Sequence, residues 1–151
     1  MRARRRVVLD TNTLISGMLL NDSVPGQAVR KAITEDFILM SEDSLYELAD
    51  VLSRKKFDRY LSVEDREEFV RLVLRVAEMV PIVTAVHECR DESDNRILEI
   101  AVNGNAALIV SGDRDLLTLN PFRGIPVLTP GDYVQKTHDT DDATHASREP
   151  E

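Results

Sequence analysis

Arg6-Val7-Val8-Leu9-Asp10-Thr11-Asn12-Thr13 decides the reading of this chain. Its first four residues form a short apolar, β-branched run that reads as a central strand buried on both faces. The run ends on a carboxylate. Removing an ionised carboxyl from water costs on the order of several kcal/mol. Asp10 must therefore cap the next segment, hold a cation or reach the surface. Asn12 and Thr13 are the polar groups placed to orient that carboxylate or to turn the chain.

The same grammar returns about a hundred residues later. Ala107 to Ser111 is the most strand-like run of the chain, and Ser111-Gly112-Asp113-Arg114-Asp115 follows it. Gly112 permits a tight turn into a short helix, Leu116 to Leu119. Two acids at i and i+2 exceed what a turn requires, although Asp115 also reads as a cap. Between and around these runs, strand-like and helical patterns alternate. A helix is expected over Pro25 to Thr34, and a strand over Asp36 to Ser41. Further helices are expected from about Asp43 to Arg54 and from the N-cap Ser62 to about Met79. A short strand is expected over Pro81 to Thr84, a helix from Asp94 to the stop signal Asn103-Gly104, and an edge strand over Ile125 to Leu128. Alternation of this kind predicts the α/β class, with a mostly parallel central sheet covered on both faces. The carboxyl ends of parallel strands share one edge, which brings Asp10 and Asp113 together.

Two more acids join the pattern. Glu47 lies roughly 160° around its helix from Leu45, off the apolar stripe, and by itself reads as a solvated glutamate. Asp94 follows Asp91-Glu92-Ser93 at the mouth of a helix, where caps are expected, so capping and ligation stay open for it. Asp91 reads as a loop residue that tunes its neighbours. Glu42 and Asp43 are first-turn acids that suit the helix dipole.

The chain has 151 residues and a formal charge of -8. One domain over 1–135 is expected. Residues 136–151 carry Asp139, Asp141, Asp142, Glu149 and Glu151 against Lys136 and Arg148, and are expected to form a disordered acidic tail. The single Cys89 has no internal disulfide partner, which suits a reducing cytoplasm. Arg2, Arg4, Arg5 and Arg6 are followed by too short an apolar run for an export signal. No apolar stretch approaches the roughly 20 residues that span a bilayer, so no membrane partner is expected. Positive charge gathers in Arg54, Lys55, Lys56 and Arg59, which read as phosphate contacts or as solvated surface charges. Tyr46, Phe57 and Tyr60 lie near them, and read as base-stacking faces or as packing of helix ends.

Strand-Asp10-Thr11-Asn12, a helix bearing Glu47, Asp91-x-x-Asp94-Asn95 opening a helix, and strand-Ser111-Gly112-Asp113-x-Asp115 form an ordered set. It resembles the PIN-domain family of metal-dependent ribonucleases, in particular the branch of toxins from bacterial toxin-antitoxin pairs, over about residues 6 to 135. The resemblance implies a three-layer α/β/α PIN-like fold. It implies catalytic and metal-ligating roles for Asp10, Glu47, Asp94 and Asp113, with Asp115 a further acid for the metal. Asp10 and Asp94 are expected to be the most direct ligands. Asn12, Thr13, Asp91 and Ser111 are expected in support. Carboxylates without histidine or cysteine in the pattern select hard cations, so Mg²⁺ or Mn²⁺ is expected. RNA is the implied substrate, and a cognate antitoxin and a homodimer are the implied protein partners. The alternative is a silent PIN-like module that binds RNA or protein without cutting. Aspartate phosphotransferases need a second acid where Asn12 stands. Receiver domains need a lysine at a strand end, which this chain lacks.

Overall fold

A computed structural model describes residues 3–135; the acidic tail expected over 136–151 lies outside the described residues. The chain runs β1 (Arg6–Leu9), α1 (Thr11–Leu19), α2 (Val24–Glu35), β2 (Phe37–Met40), α3 (Glu42–Leu52) and a 3-10 turn (Lys55–Phe57). It continues through α4 (Val63–Val76), β3 (Glu78–Met79), α5 (Glu92–Asn103), β4 (Leu108–Val110), α6 (Arg114–Leu117) and β5 (Val127–Leu128). Residues 130–135 are helical. The five strands form one sheet in the order β3-β2-β1-β4-β5, parallel throughout.

Side chains alternate across this sheet because a strand repeats every two residues. Val7, Leu9, Ile38, Met40, Leu108 and Val110 face Leu14, Ala28, Leu48 and Val73 of α1 to α4. Val8, Leu39 and Ile109 face Ile97, Leu98 and Ile100 of α5 and Leu116 of α6. Two cores on opposite faces of one sheet make the three layers. The winding leaves β1 for β2 and β3 on one side, then returns for β4 and β5 on the other. A crevice opens beyond the carboxyl ends of strands at such a reversal. Asp10 and Asp113 follow β1 and β4, the two strands that flank it.

Three local expectations are corrected. Thr11–Leu19, for which no helix was expected, is a helix, capped by Asp10 and packed through Leu14, Ile15 and Gly17. Helix α4 stops at Val76 rather than Met79. The strand expected over Pro81 to Thr84 lies instead at Glu78–Met79, paired with Leu39 and Met40. Val80 still donates its N–H to Met40 O at 2.7 Å. Pro81 has no N–H to offer and ends the pairing.

Candidate active site

Each acid reaches the crevice through a specific local device. Asp10 caps α1 through Oδ1, which accepts the Thr13 N–H at 2.8 Å, while Oδ2 accepts the Ser111 hydroxyl at 2.5 Å. Ser111 in turn accepts the Asp113 N–H at 2.9 Å, which joins the ends of β1 and β4 through one hydroxyl. Asp113 caps α6 by accepting the Asp115 N–H at 2.8 Å. A carboxylate offers about four lone-pair sites, so capping leaves each acid further acceptor capacity. At α5 the cap is Asp91, and Asp94 sits inside the first turn with its carboxylate free of that duty.

Asp94 is only 7% exposed. Carboxylate oxygens of Asp94, Asp113 and Asp115 lie within 4.8 Å of one another. Burial, and then the charges of Asp113, Asp91, Asp115 and Asp10, push the Asp94 carboxyl up from 3.8 to about 6. The Cys89 thiol is pushed up by burial and by the carboxylates of Asp94, Asp115, Asp113 and Glu88. A negative field of this kind marks a functional site or a cation site.

Glu47 is not the solvated residue its helical angle suggests, since its side chain is 18% exposed. Oε2 accepts the Thr11 hydroxyl at 2.9 Å, Oε1 accepts the Ser93 hydroxyl, and Arg96 lies 3.5 Å away. It bridges α1, α3 and α5 at the wall of a cleft of about 430 Å³. That cleft also takes in Asp10, Asn12, Asp91, Asp94 and Asp113, together with Arg54 and Lys56. Asp115 stands beside it, paired with the exposed Arg90 at 3.5 Å. Lys55 and Arg59 line a neighbouring hollow instead.

Thr11, Ser93, Arg90 and Arg96 escaped the sequence reading. Ser93 looked like a cap, and nothing in the pattern singled out Thr11 or either arginine. Only the fold shows that all four point at acids, Thr11, Ser93 and Arg96 at Glu47 and Arg90 at Asp115. An oxygen-only donor set with one carboxyl pushed up to about 6 by burial and then by its neighbours fits a hard divalent cation.

Residues 6–115 match the family described as the PIN domain. The chain belongs to the PIN-domain family. A protein of Methanocaldococcus jannaschii, named only as uncharacterized, is 29% identical over 119 residues, 76% of this chain and 74% of the relative. Among solved structures, VapBC2 from Rickettsia felis, bound to a DNA fragment from their promoter, matches with TM-score 0.56 and 13% identity, over 82% of this chain and 98% of that one. PAE2754 from Pyrobaculum aerophilum matches with TM-score 0.58 and 16% identity, over 89% and 90%. Both likenesses are likenesses of fold. No helix among the described residues of this PIN domain is long and apolar enough to cross a membrane.

Proposed function

We propose that this PIN domain is a divalent-metal-dependent endoribonuclease and the toxin of a toxin-antitoxin pair. The observation that carries the reading is the convergence of Asp10, Glu47, Asp94, Asp113 and Asp115, from separate elements, on one edge of the sheet. Asp94, Asp113 and Asp115 would hold Mg²⁺ or Mn²⁺, and Asp10 and Glu47 complete the acid set. When bound, the cation supplies Lewis-acid charge toward the phosphate and lowers the pKa of water.

The residues of the chain do the rest. Ser111 and the Thr13 N–H fix the Asp10 carboxylate, and Thr11, Ser93 and Arg96 fix Glu47. Arg54 and Lys56, on the wall of the cleft, supply cationic donors to phosphate oxygens that are not being displaced. Water attacks phosphorus in line, its proton passes to a carboxylate oxygen of the cleft, and the bond to the leaving oxygen breaks as that oxygen gains a proton from solvent. Nothing in this route uses the 2′-hydroxyl, so RNA as substrate rests on family membership.

The likeness to VapBC2 supports an antitoxin partner, which would set a basic side chain against the carboxylates. A homodimer is proposed on family grounds alone. Cleavage of a labelled RNA pool with Mg²⁺ or Mn²⁺, against EDTA, tests the proposal. Metal-dependent cutting that disappears in Asp10→Asn and Asp94→Asn is expected. Equal inertness of wild type and variants would favour a silent binding module.

A further inference from the structure

We propose that the segment from Lys55 to Tyr60 is a substrate platform for single-stranded nucleic acid, on which a base stacks on Tyr60. The proposal rests on the nuclease reading for its cleft, but its test does not depend on cutting.

Several cations among the described residues are committed to carboxylates, although Arg75 and Arg114 are not. Arg54 pairs with Asp50, Arg66 with Asp58, Arg71 with Glu67 and Glu68, Arg90 with Asp115, and Arg96 with Glu47. Lys55, Lys56 and Arg59 have no carboxylate partner among the described residues. The three lie with Tyr60, which is 67% exposed, in the six residues from Lys55 to Tyr60. Lys56 lines both the acid cleft and the hollow that holds Lys55, Arg59 and Tyr60, so the two are neighbours. The one acid of that hollow, Asp58, is neutralised by Arg66 at 2.7 Å.

The segment is also held in shape. Phe57 is buried in the core, which settles its role as packing rather than stacking. The Tyr60 and Leu61 N–H groups donate to Phe57 O at 3.0 Å, and the Asp58 N–H donates to Lys55 O at 3.0 Å. Buried Arg66 donates to Leu52 O at 2.9 Å and Leu61 O at 3.0 Å, fastening both ends of the stretch from below. A row of cations without carboxylate partners on a held backbone, with one bare aromatic face, is the combination that binds strands whose bases are unstacked. The cations follow the backbone and the ring takes a base. A duplex keeps its bases stacked inside and offers the ring nothing. Tyr46 is equally exposed, but the two cations of its hollow, Arg54 and Arg96, are paired with Asp50 and Glu47, and Asp43 leaves that hollow without a spare positive charge.

Equilibrium binding of the full chain in EDTA to a labelled single-stranded RNA oligonucleotide, the same sequence as DNA, and its duplex tests this. Both single strands are expected to bind more tightly than the duplex. Tyr60→Ala is expected to weaken single-strand binding about 5- to 150-fold while Tyr60→Phe keeps it. Lys56→Ala is expected to lower the salt slope by about 0.7. Unchanged affinity in a folded Tyr60→Ala, or a duplex bound as tightly as the single strand, would overturn the platform even if metal-dependent cutting is intact. Loss of cutting with the Tyr60 effect retained would strike the nuclease reading alone.

Discussion

Asp94 is the residue through which acidity and metal binding are coupled. Its carboxyl gives up a proton at about 6 in the folded chain against 3.8 ordinarily, because burial and then Asp113, Asp91, Asp115 and Asp10 oppose its charge. The folded state therefore binds that proton more tightly than the unfolded chain does. The stabilisation is full below pH 3.8 and is lost as pH rises through about 6. Scanning calorimetry in EDTA should show wild type losing stability relative to Asp94→Asn across that window. Profiles that stay parallel would contradict it. Protons and the cation compete for the same oxygens, so Mn²⁺ affinity by titration calorimetry should fall as pH drops below about 6. Ser111 makes a second residue-scale test. Its hydroxyl is fully buried on the Asp10 carboxylate, and Ser111→Ala should cost about 1.5–3 kcal/mol in urea unfolding. A cost near zero would mean that the carboxylate finds another donor.

At the scale of elements, α1 shows what patterning conceals. Thr11, Asn12 and Thr13 are weak helix formers and Gly17 sits mid-helix, so local propensity argues for a turn. Tertiary packing overrides it. A methyl at Gly17 would stand 2.6 Å from a Val29 methyl, and one at Gly26 would stand 2.3 Å from the Asn21 carbonyl oxygen. Gly17 is thus where α1 meets α2, and Gly26 lets the first turn of α2 close on the connecting loop. Gly26→Ala should destabilise by about 1–3 kcal/mol in denaturant unfolding, since backbone rather than a flexible side chain blocks the methyl. A neutral effect would show that the loop shifts freely. The strands of the sheet centre were legible from their unbroken apolar runs. The edge strand β3 was not, because Ala77-Glu78-Met79-Val80 continues the helical apolar spacing and only pairing with β2 reveals its extension. The acids at the ends of β1 and β4 were legible from parallel topology. Their order of approach was not: Asp94 stands closest to Asp113 and Asp115, whereas Asp10 is engaged by Ser111 and Thr13. No spacing rule reports which oxygens are already taken.

Across the whole molecule, the charge of -8 is unevenly spent. Acids gather where the strand order reverses, and Lys55, Lys56 and Arg59, without carboxylate partners among the described residues, lie beside them on one stretch after α3. Two unit charges 4.8 Å apart repel by roughly 3 kcal/mol at an effective dielectric of about 20, less the screening that exposed Asp115 receives. A cation would relieve this repulsion. At about 100 times Kd, Mg²⁺ or Mn²⁺ should raise Tm by on the order of 10 °C, and Asp94→Asn should abolish most of the rise. An equal rise in the variant would place the ion elsewhere. The central claim is that acids from separate elements make one metal site. Crystals soaked in Mn²⁺, with the anomalous difference map computed at the manganese edge, test it most directly. A peak in contact with the carboxylates of Asp94 and Asp113 is predicted. A well-ordered cleft with no peak, or a peak only at acids outside the crevice, would contradict the account.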